Sequence, residues 1–532
     1  MQQVDGRKAR ALTRGDPAAS KKRCNPCSDA RLSGRKSAEA IVPSGHEREG
    51  RAEHQEVPEN VKNSTDMRRK QTTARGRAGC PAGKGVEPRE QAGAPSMPAA
   101  SSGGRNGTIR DSEGLLEKML ERGNMQAALK RVNANKGSHG VDGMKVEELQ
   151  QYLFKPFEGK WPDIRQALVE GSYEPQPVRR VEIPKPDGGK RQLGIPTVLD
   201  RLIQQALAQV LTPIFDGGFS ESSYGFRPGR SAHQAVKKAR DYFQAGYGWV
   251  VDMDIEKFFD RVNHDKLMAL VARKVEDKRV LTLIRKYLES GIMADGVKVK
   301  NELGTPQGGP LSPLLANILL DELDKELEQR GHKFCRYADD CNIFVRSHSA
   351  GERVMKSISE YLLERLKLKV NPEKSAVDRP VNRKYLGFSF YTLKDVAGIR
   401  VHEKPVKRYR KKVRELTSRS NAMSMEERID RLNQLSRGWG NYFGIADSKN
   451  LRQKLDEWTR RRLRMCIWKQ WKKIKTRHEN LVKLGIDKRK AWQFANTRKG
   501  YWRIANSPIL SQTLSNGYFK SIGLSGLSVV LG

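Results

Sequence analysis

Aromatic residues are missing from the first 151 positions of this 532-residue chain, and Tyr152 is the first Phe, Trp or Tyr. Residues 1–110 are instead rich in Arg, Gly, Ala, Pro and Ser and show no apolar period. Such a composition cannot offset its own chain entropy, so a disordered basic tail is expected there. Long apolar runs are missing as well. None reaches the roughly 18 residues of a spanning helix, and the nearest, Leu311 to Leu320, is interrupted by Ser312 and Asn317. No membrane is expected as a partner. The N-terminus has no apolar core of a secretion signal, and 12 acidic residues among the first 110 argue against a transit peptide, so a cytosolic location is expected.

Cysteine is scarce, six in all, which excludes a disulfide scaffold. Cys24 and Cys27 form a CxxC with no second pair, and structural zinc needs four ligands, so no metal site is expected there. Cys335 and Cys341 lie in apolar, strand-like sequence and read as small core residues. Acids are in deficit: 62 Asp and Glu face 100 Lys and Arg, a formal net charge of +38. A surplus of this size binds polyanions, so nucleic acid is the default partner and a small neutral substrate cannot be the whole story. Charge collects at the two ends. Residues 1–110 hold 22 basic and 12 acidic side chains and residues 402–532 hold 31 and 10, which leaves +7 for the middle. Six of the eight Trp lie after residue 438, so the C-terminal basic end is expected to fold.

Turning to what is there, LLEKMLERGNMQAALKRV carries Leu115, Leu116, Met119, Leu120, Met125, Ala128 and Leu129 at helical spacing. RRVEIPKPDGGKRQLGIP reads as two strands joined by a turn at Pro186 to Gly189, with Lys185, Lys190 and Arg191 clustered about it. Thr197 is placed to cap a helix from Val198 to Leu211. The middle then alternates: a strand ending in acids at GWVVDMDIEKFF, a long helix at PLSPLLANILLDELDKELEQR, strand, acidic turn and strand at FCRYADDCNIFVR, and a helix at SISEYLLERLKLKV. This predicts an α+β domain with a mostly antiparallel sheet and helices on one face. Beyond Lys404 the pattern is almost wholly helical and basic.

Asp339 and Asp340 form the tip of the predicted hairpin, and Asp252 and Asp254 end another strand with their side chains on one face. Two readings are open at this point. The acids could be a solvated turn and a strand-end salt bridge, or two adjacent strand ends could hold Mg²⁺, a hard cation that takes one or two carboxylates plus substrate phosphates. Two such ions ~3.5–4 Å apart stabilise the attacking and leaving oxygens of in-line phosphoryl transfer.

Seven ordered blocks decide between them: IPKPDGGKRQLGIP (Ile183–Pro196), YGFRPGRSAHQA (Tyr224–Ala235), DIEKFFD (Asp254–Asp260), TPQGGPLSP (Thr305–Pro313), YADD (Tyr337–Asp340), LKVNPEKS (Leu368–Ser375) and YLGF (Tyr385–Phe388). Together they resemble the group II intron-encoded reverse transcriptase/maturases over roughly residues 112–525. The resemblance implies a right-hand polymerase of fingers, palm and thumb. Its implied metal set for two Mg²⁺ ions is Asp254, Ile255, Asp339 and Asp340, the three aspartates being catalytic, and Asp252 falls outside the motif as a structural residue. Lys185 and Arg191 would grip the incoming deoxynucleoside triphosphate, with Gln307, Asn317 and Lys374 close by, Lys374 protonating pyrophosphate. Phe259 would pack under the sugar and clash with a 2′-OH. Tyr337 would lie near the primer end, Tyr385, Leu386, Gly387 and Phe388 would form a primer grip, and Arg227 and Arg230 would contact template phosphate. His264 fits no role and reads as a satisfied surface histidine.

RGWGNYF followed by LDEWTRRRLRMCIWKQWKK is similar to the maturase domain of the family. Arg460, Arg461, Arg462 and Arg464 beside Trp458, Trp468 and Trp471 make a basic helix with aromatic interleaving, suited to phosphate contact and stacking on unpaired RNA bases. Trp458 and Trp468 are expected to be buried, with the arginines facing RNA. The implied partners are group II intron RNA, an RNA template with a DNA primer, and target DNA, in a bacterial cytosol near the nucleoid. The implied organisation is a tail (1–110), an N-terminal extension (111–175), fingers and palm (176–395), thumb/maturase (396–475) and a basic nucleic-acid-binding segment (476–532). After Cys341 the sequence has one cysteine, Cys466, and after that one histidine, His478, too few for the HNH-type nuclease of many relatives. Insertion is therefore expected to start from an existing 3′ end. The implied function is RNA-directed DNA polymerase and maturase. A splicing-only maturase or an intron-independent reverse transcriptase of retron or defence type is the alternative.

Overall fold

The computed structural model describes residues 114–184, 189–294, 297–299, 303–305 and 308–528. The expected tail at 1–110, the CxxC at Cys24 and Cys27, Lys185 and Gln307 all lie outside them, and only the main chain of Arg191 is described.

The first helical stretch is two helices, Leu115–Leu120 and Arg122–Asn135, with Glu121 extended between them (φ −59, ψ 138). The apolar spacing explains the break. Leu120 and Met125 are both buried but five positions apart, off the three-to-four spacing of one helical face, so the chain bends to bring both inward. Thr197 caps the next helix as expected, its Oγ1 accepting from Asp200 N at 3.0 Å, and this helix runs on to Asp216 because Phe215 is also buried.

Four antiparallel strands form the central sheet: β3 (Trp249–Asp254), β6 (Lys333–Tyr337), β7 (Asp340–Val345) and β8 (Ala376–Asp378), in the order β6-β7-β3-β8. A second sheet joins the hairpin β1 (Val178–Pro184) and β2 (Lys190–Ile195) to β4 (Ile292–Ala294) and β5 (Val297–Val299), with one parallel contact between β1 and β4. The last hairpin pairs β9 (Phe388–Leu393) with β10 (Val396–Val401). Strand alternation divides two cores. Val251, Met253, Cys341, Ile343 and Val345 enter a core shared with the Val198–Asp216 and Ser312–Gln329 helices. On the opposite face, Val250, Cys335 and Phe344 enter a second core with β9, β10 and the C-terminal helices Glu403–Leu416, Met425–Phe443 and Lys449–Gln470. Cys335 and Cys341 are the core residues the sequence suggested.

The α+β body with a helical C-terminal end is thus the expected right-hand arrangement. Among the described residues no helix is long and apolar enough to cross a membrane. His264 is a correction: it is satisfied, its Nε2 lying 2.7 Å from Gly304 O, but buried instead of on the surface.

Candidate active site

Along β3 and β7 the face that meets the second core changes character in steps. Val250 pairs with Phe344, Asp252 with Asn342, and Asp254 with Asp340. The ladder therefore carries an apolar contact at one end and two opposed carboxylates at the other. A two-residue loop joins β6 to β7, and its first residue, Ala338, is left-handed (φ 57), a geometry that lets so short a loop follow the strand twist. The second loop residue, Asp339, is exposed.

Burial and the negative charges of Asp252 and Asp339 push the Asp340 carboxyl well above its usual range, with Lys384 opposing them. Asp252 shares this face, but Arg383 holds its carboxylate at 2.6 Å, which fits a structural role. Asp254 is braced by the distant loop that leads into β8: its N–H donates to Ser375 Oγ (2.9 Å), its carbonyl accepts from Asn371 N (2.8 Å), and Lys374 Nζ lies 3.3 Å from its Oδ1. Ile255 has a buried side chain, so only its carbonyl could meet a cation. Among the described residues no three acidic, His or Cys side chains close into a ready-made cage. The donor set nonetheless fits Mg²⁺, which usually completes its shell with water and substrate phosphate. Crowded carboxylates with one driven toward neutrality are the environment a divalent cation relieves.

Phe259 stands edge-on to Phe258 with ring centroids 5.1 Å apart, and its carbonyl accepts from Thr305 N at 2.6 Å. The main chain that carries this half-buried ring is thereby tied to the start of the Gly/Pro loop.

Several expected contacts are corrected. Asn317 is 1% exposed and does not face a nucleotide; its Nδ2 donates to Gly225 O (2.8 Å) and its Oδ1 accepts from Arg336 Nη1 (3.0 Å). Arg227 is not available to template, because it donates to Asp216 Oδ1 and to the carbonyls of Asp216, Ser220 and Ser223. Arg230 is paired with Glu221 but keeps part of its side chain exposed. The side chains of Tyr385, Leu386 and Phe388 are all buried, so only the main chain of this turn could meet a primer. That turn instead joins sheet to helical end: Leu386 O accepts from Tyr442 Oη, Gly387 O from His402 N, and Phe388 packs on Phe443.

The basic helix is corrected in part. Trp468 is buried, but Trp458 is half-buried and lies under Arg410, Arg414 and Arg462. Arg464 is buried and donates to Leu514 O, Arg462 donates to Thr417, and Arg461 lies 3.8 Å over the Trp502 ring. Arg460 stays half-exposed, and exposed cations nearby include Arg410, Arg414 and Arg419, which the sequence reading passed over.

It also missed Arg336. This residue is fully buried, pairs with Asp324, donates to Ser223 Oγ (2.8 Å) and to Ala338 O (2.9 Å), and so ties the acidic turn to the distant loop around Ser223. A signal existed: Arg336 interrupts an apolar strand and Asp324 an apolar helix stripe, opposite charges on two faces that must meet.

Comparison with known proteins agrees with this geometry. Residues 183–390 match the family model for reverse transcriptase (RNA-dependent DNA polymerase), and residues 406–485 match the group II intron maturase-specific domain. Over 284 residues the chain is 34% identical to Protein YkfC of Escherichia coli, a match covering 46% of this chain and 74% of that protein. It is 46% identical over 180 residues to the group II intron-encoded protein LtrA of Lactococcus lactis, covering 34% of this chain and 30% of that protein. A 91 kDa protein in the cob intron of Schizosaccharomyces pombe is 35% identical over 41% of this chain and 26% of its own length.

Proposed function

We propose, because this chain belongs to the group II intron-encoded reverse transcriptase/maturase family, that it binds its intron RNA, promotes splicing and copies that RNA into DNA during intron mobility. The observation that carries the polymerase reading is the opposition of Asp254 and Asp340 across paired strands, with Asp339 exposed at the adjoining turn. Asp254, Asp339, Asp340 and the Ile255 carbonyl would hold Mg²⁺, which when bound neutralises charge on the attacking and leaving oxygens of phosphoryl transfer.

The chain's own groups do the rest. Lys374, whose ammonium lies against Asp254 Oδ1, gives a proton to departing pyrophosphate. Phe259 excludes a ribonucleotide by occupying the space a 2′-OH would need. Lys185, Arg191 and Gln307 orient the deoxynucleoside triphosphate, Tyr337 flanks the primer end, and Arg230 meets the template. Arg460 together with Arg410, Arg414 and Arg419 presents cations to intron RNA, and the basic segment 476–532 reaches intron RNA or target DNA. Residues 111–175 serve as N-terminal extension, 176–395 as fingers and palm, and 396–475 as thumb and maturase domain. The place of action is the bacterial cytosol beside the nucleoid, where an existing 3′ end can prime synthesis.

The test is extension of a DNA primer on an RNA template in Mg²⁺, beside a splicing assay on the intron. Wild type should extend and Asp339→Ala should not, while both promote splicing. Equal inactivity of the two in extension, with splicing intact, would make the protein a splicing-only maturase.

A further inference from the structure

Phe226 is a large apolar side chain left 56% exposed, and its backbone is left-handed at φ 59. Both of its neighbours are anchored. Gly225 lies so close to the acidic turn that a Cβ there would come within 2.3 Å of Ala338 N, and its carbonyl accepts from Asn317. Just before it, Tyr224 N donates to Arg336 O at 2.9 Å. On the other side Arg227 is locked by Asp216, Ser220 and Ser223. The loop therefore has no freedom to fold the ring inward, and the ring stands beside Tyr337 with centroids 6.2 Å apart and planes at 45°. A bulky residue at positive φ is a genuine outlier, and one that its surroundings over-determine points toward function.

What meets this ring follows from its place. Asp339 and Asp340 must reach the growing 3′ end, so the newly made duplex passes the residues that flank their turn. Tyr337 is one of them, and Phe226 is its packing partner. An A-form duplex presents a wide, shallow minor groove of sugars and base edges, a surface against which a flat ring can lie without reading sequence. We infer that Phe226, backed by Tyr337, contacts the last base pairs of the primer–template duplex and holds the primer end over the carboxylates between additions. This rests on the polymerase reading above. Its contact is apolar, so it differs from phosphate contacts in being little weakened by salt.

The experiment uses the full chain and a fluorescent RNA–DNA primer–template, released into excess unlabelled duplex without nucleotides. Phe226→Ala and Phe226→Gly should each release the duplex roughly tenfold faster than wild type, a loss that falls mainly in the off-rate. Phe226→Trp should retain it. With nucleotides added, products per binding event should shorten, while the deoxynucleotide concentration for half-maximal single-turnover rate stays unchanged. Phe226→Gly should melt no lower than wild type, since glycine accepts φ 59 without strain, which separates a lost contact from a lost fold. Wild-type release rates in both variants would overturn the inference, as would unchanged release with weakened nucleotide use. Because release is read without chemistry, a wild type that never extends primers would sink the polymerase reading and leave this measurement standing by itself.

Discussion

Arg336 and Asp324 face each other with side chains 1% and 0% exposed, one guanidinium serving an acid, an amide, a hydroxyl and the carbonyl of Ala338. Removing one partner of such a pair strands a buried charge, at about 3–5 kcal/mol. Arg336→Met should therefore lower the free energy of unfolding in urea by about that amount. Arg227→Ala should likewise lose stability, with template affinity nearly unchanged, because its guanidinium is engaged within the fold. At Phe259, replacement by Val should raise ribonucleotide over deoxynucleotide incorporation by roughly ten- to a hundredfold, measured as the ratio of single-turnover efficiencies. Residues of this kind differ in how far the sequence discloses them. The opposition of Asp254 and Asp340 was legible because a strand ending in acids and an acidic hairpin both fall within ordered motifs, whereas strand alternation alone pointed equally to Asp252. Asn317 and Arg227 were misplaced because sequence spacing says nothing of which way a polar side chain turns, and both turn inward to close hydrogen bonds that a buried loop requires.

The Leu115–Leu120 helix is held to the Lys278–Glu289 helix by a small polar joint. Asp277 caps the second helix, accepts from Leu116 N at 3.1 Å, and shares Arg279 with Glu117. Hydrogen bonding from Arg279 draws the Glu117 carboxyl below its usual range; at Asp277 burial works upward, but Arg279 and the Leu116 N–H outweigh it. Folded-state values depressed in this way give stability that is present above the unfolded value, 4.5 for Glu117 and 3.8 for Asp277, and is lost as pH falls through the folded values. Melting temperature should therefore drop more steeply below about pH 4.5 in wild type than in Arg279→Met, the two curves converging in acid. Helices, strands and the Thr197 cap were legible from period and capping chemistry. The break at Glu121 was hidden because it depends on two buried residues being out of phase, and the packing of the turn at Tyr385 to Phe388 was hidden because the carbonyls of Leu386 and Gly387 and the Phe388 ring meet the distant helical end of the chain.

Across the whole molecule, charge divides the work: +21 lies in the C-terminal 131 residues, and only +7 in the 291 that hold the acids. Removing residues 1–96, which lie outside the described residues, should flatten the slope of log affinity against log salt for non-specific RNA while leaving affinity for the intron mostly intact. Charge distribution was fully legible, since it needs only counting; which arginines reach solvent was not, because Arg410, Arg414 and Arg419 owe their exposure to helix packing. The close passage of Gly225 past Ala338 has a genetic consequence. Any single-base change in a glycine codon that alters the residue adds a Cβ, and here it would meet the backbone of the acidic turn at 2.3 Å. A saturation library selected for intron retrohoming should return only glycine at 225, so that a position carrying no chemistry reads in a mutational map as unforgiving as the aspartates themselves.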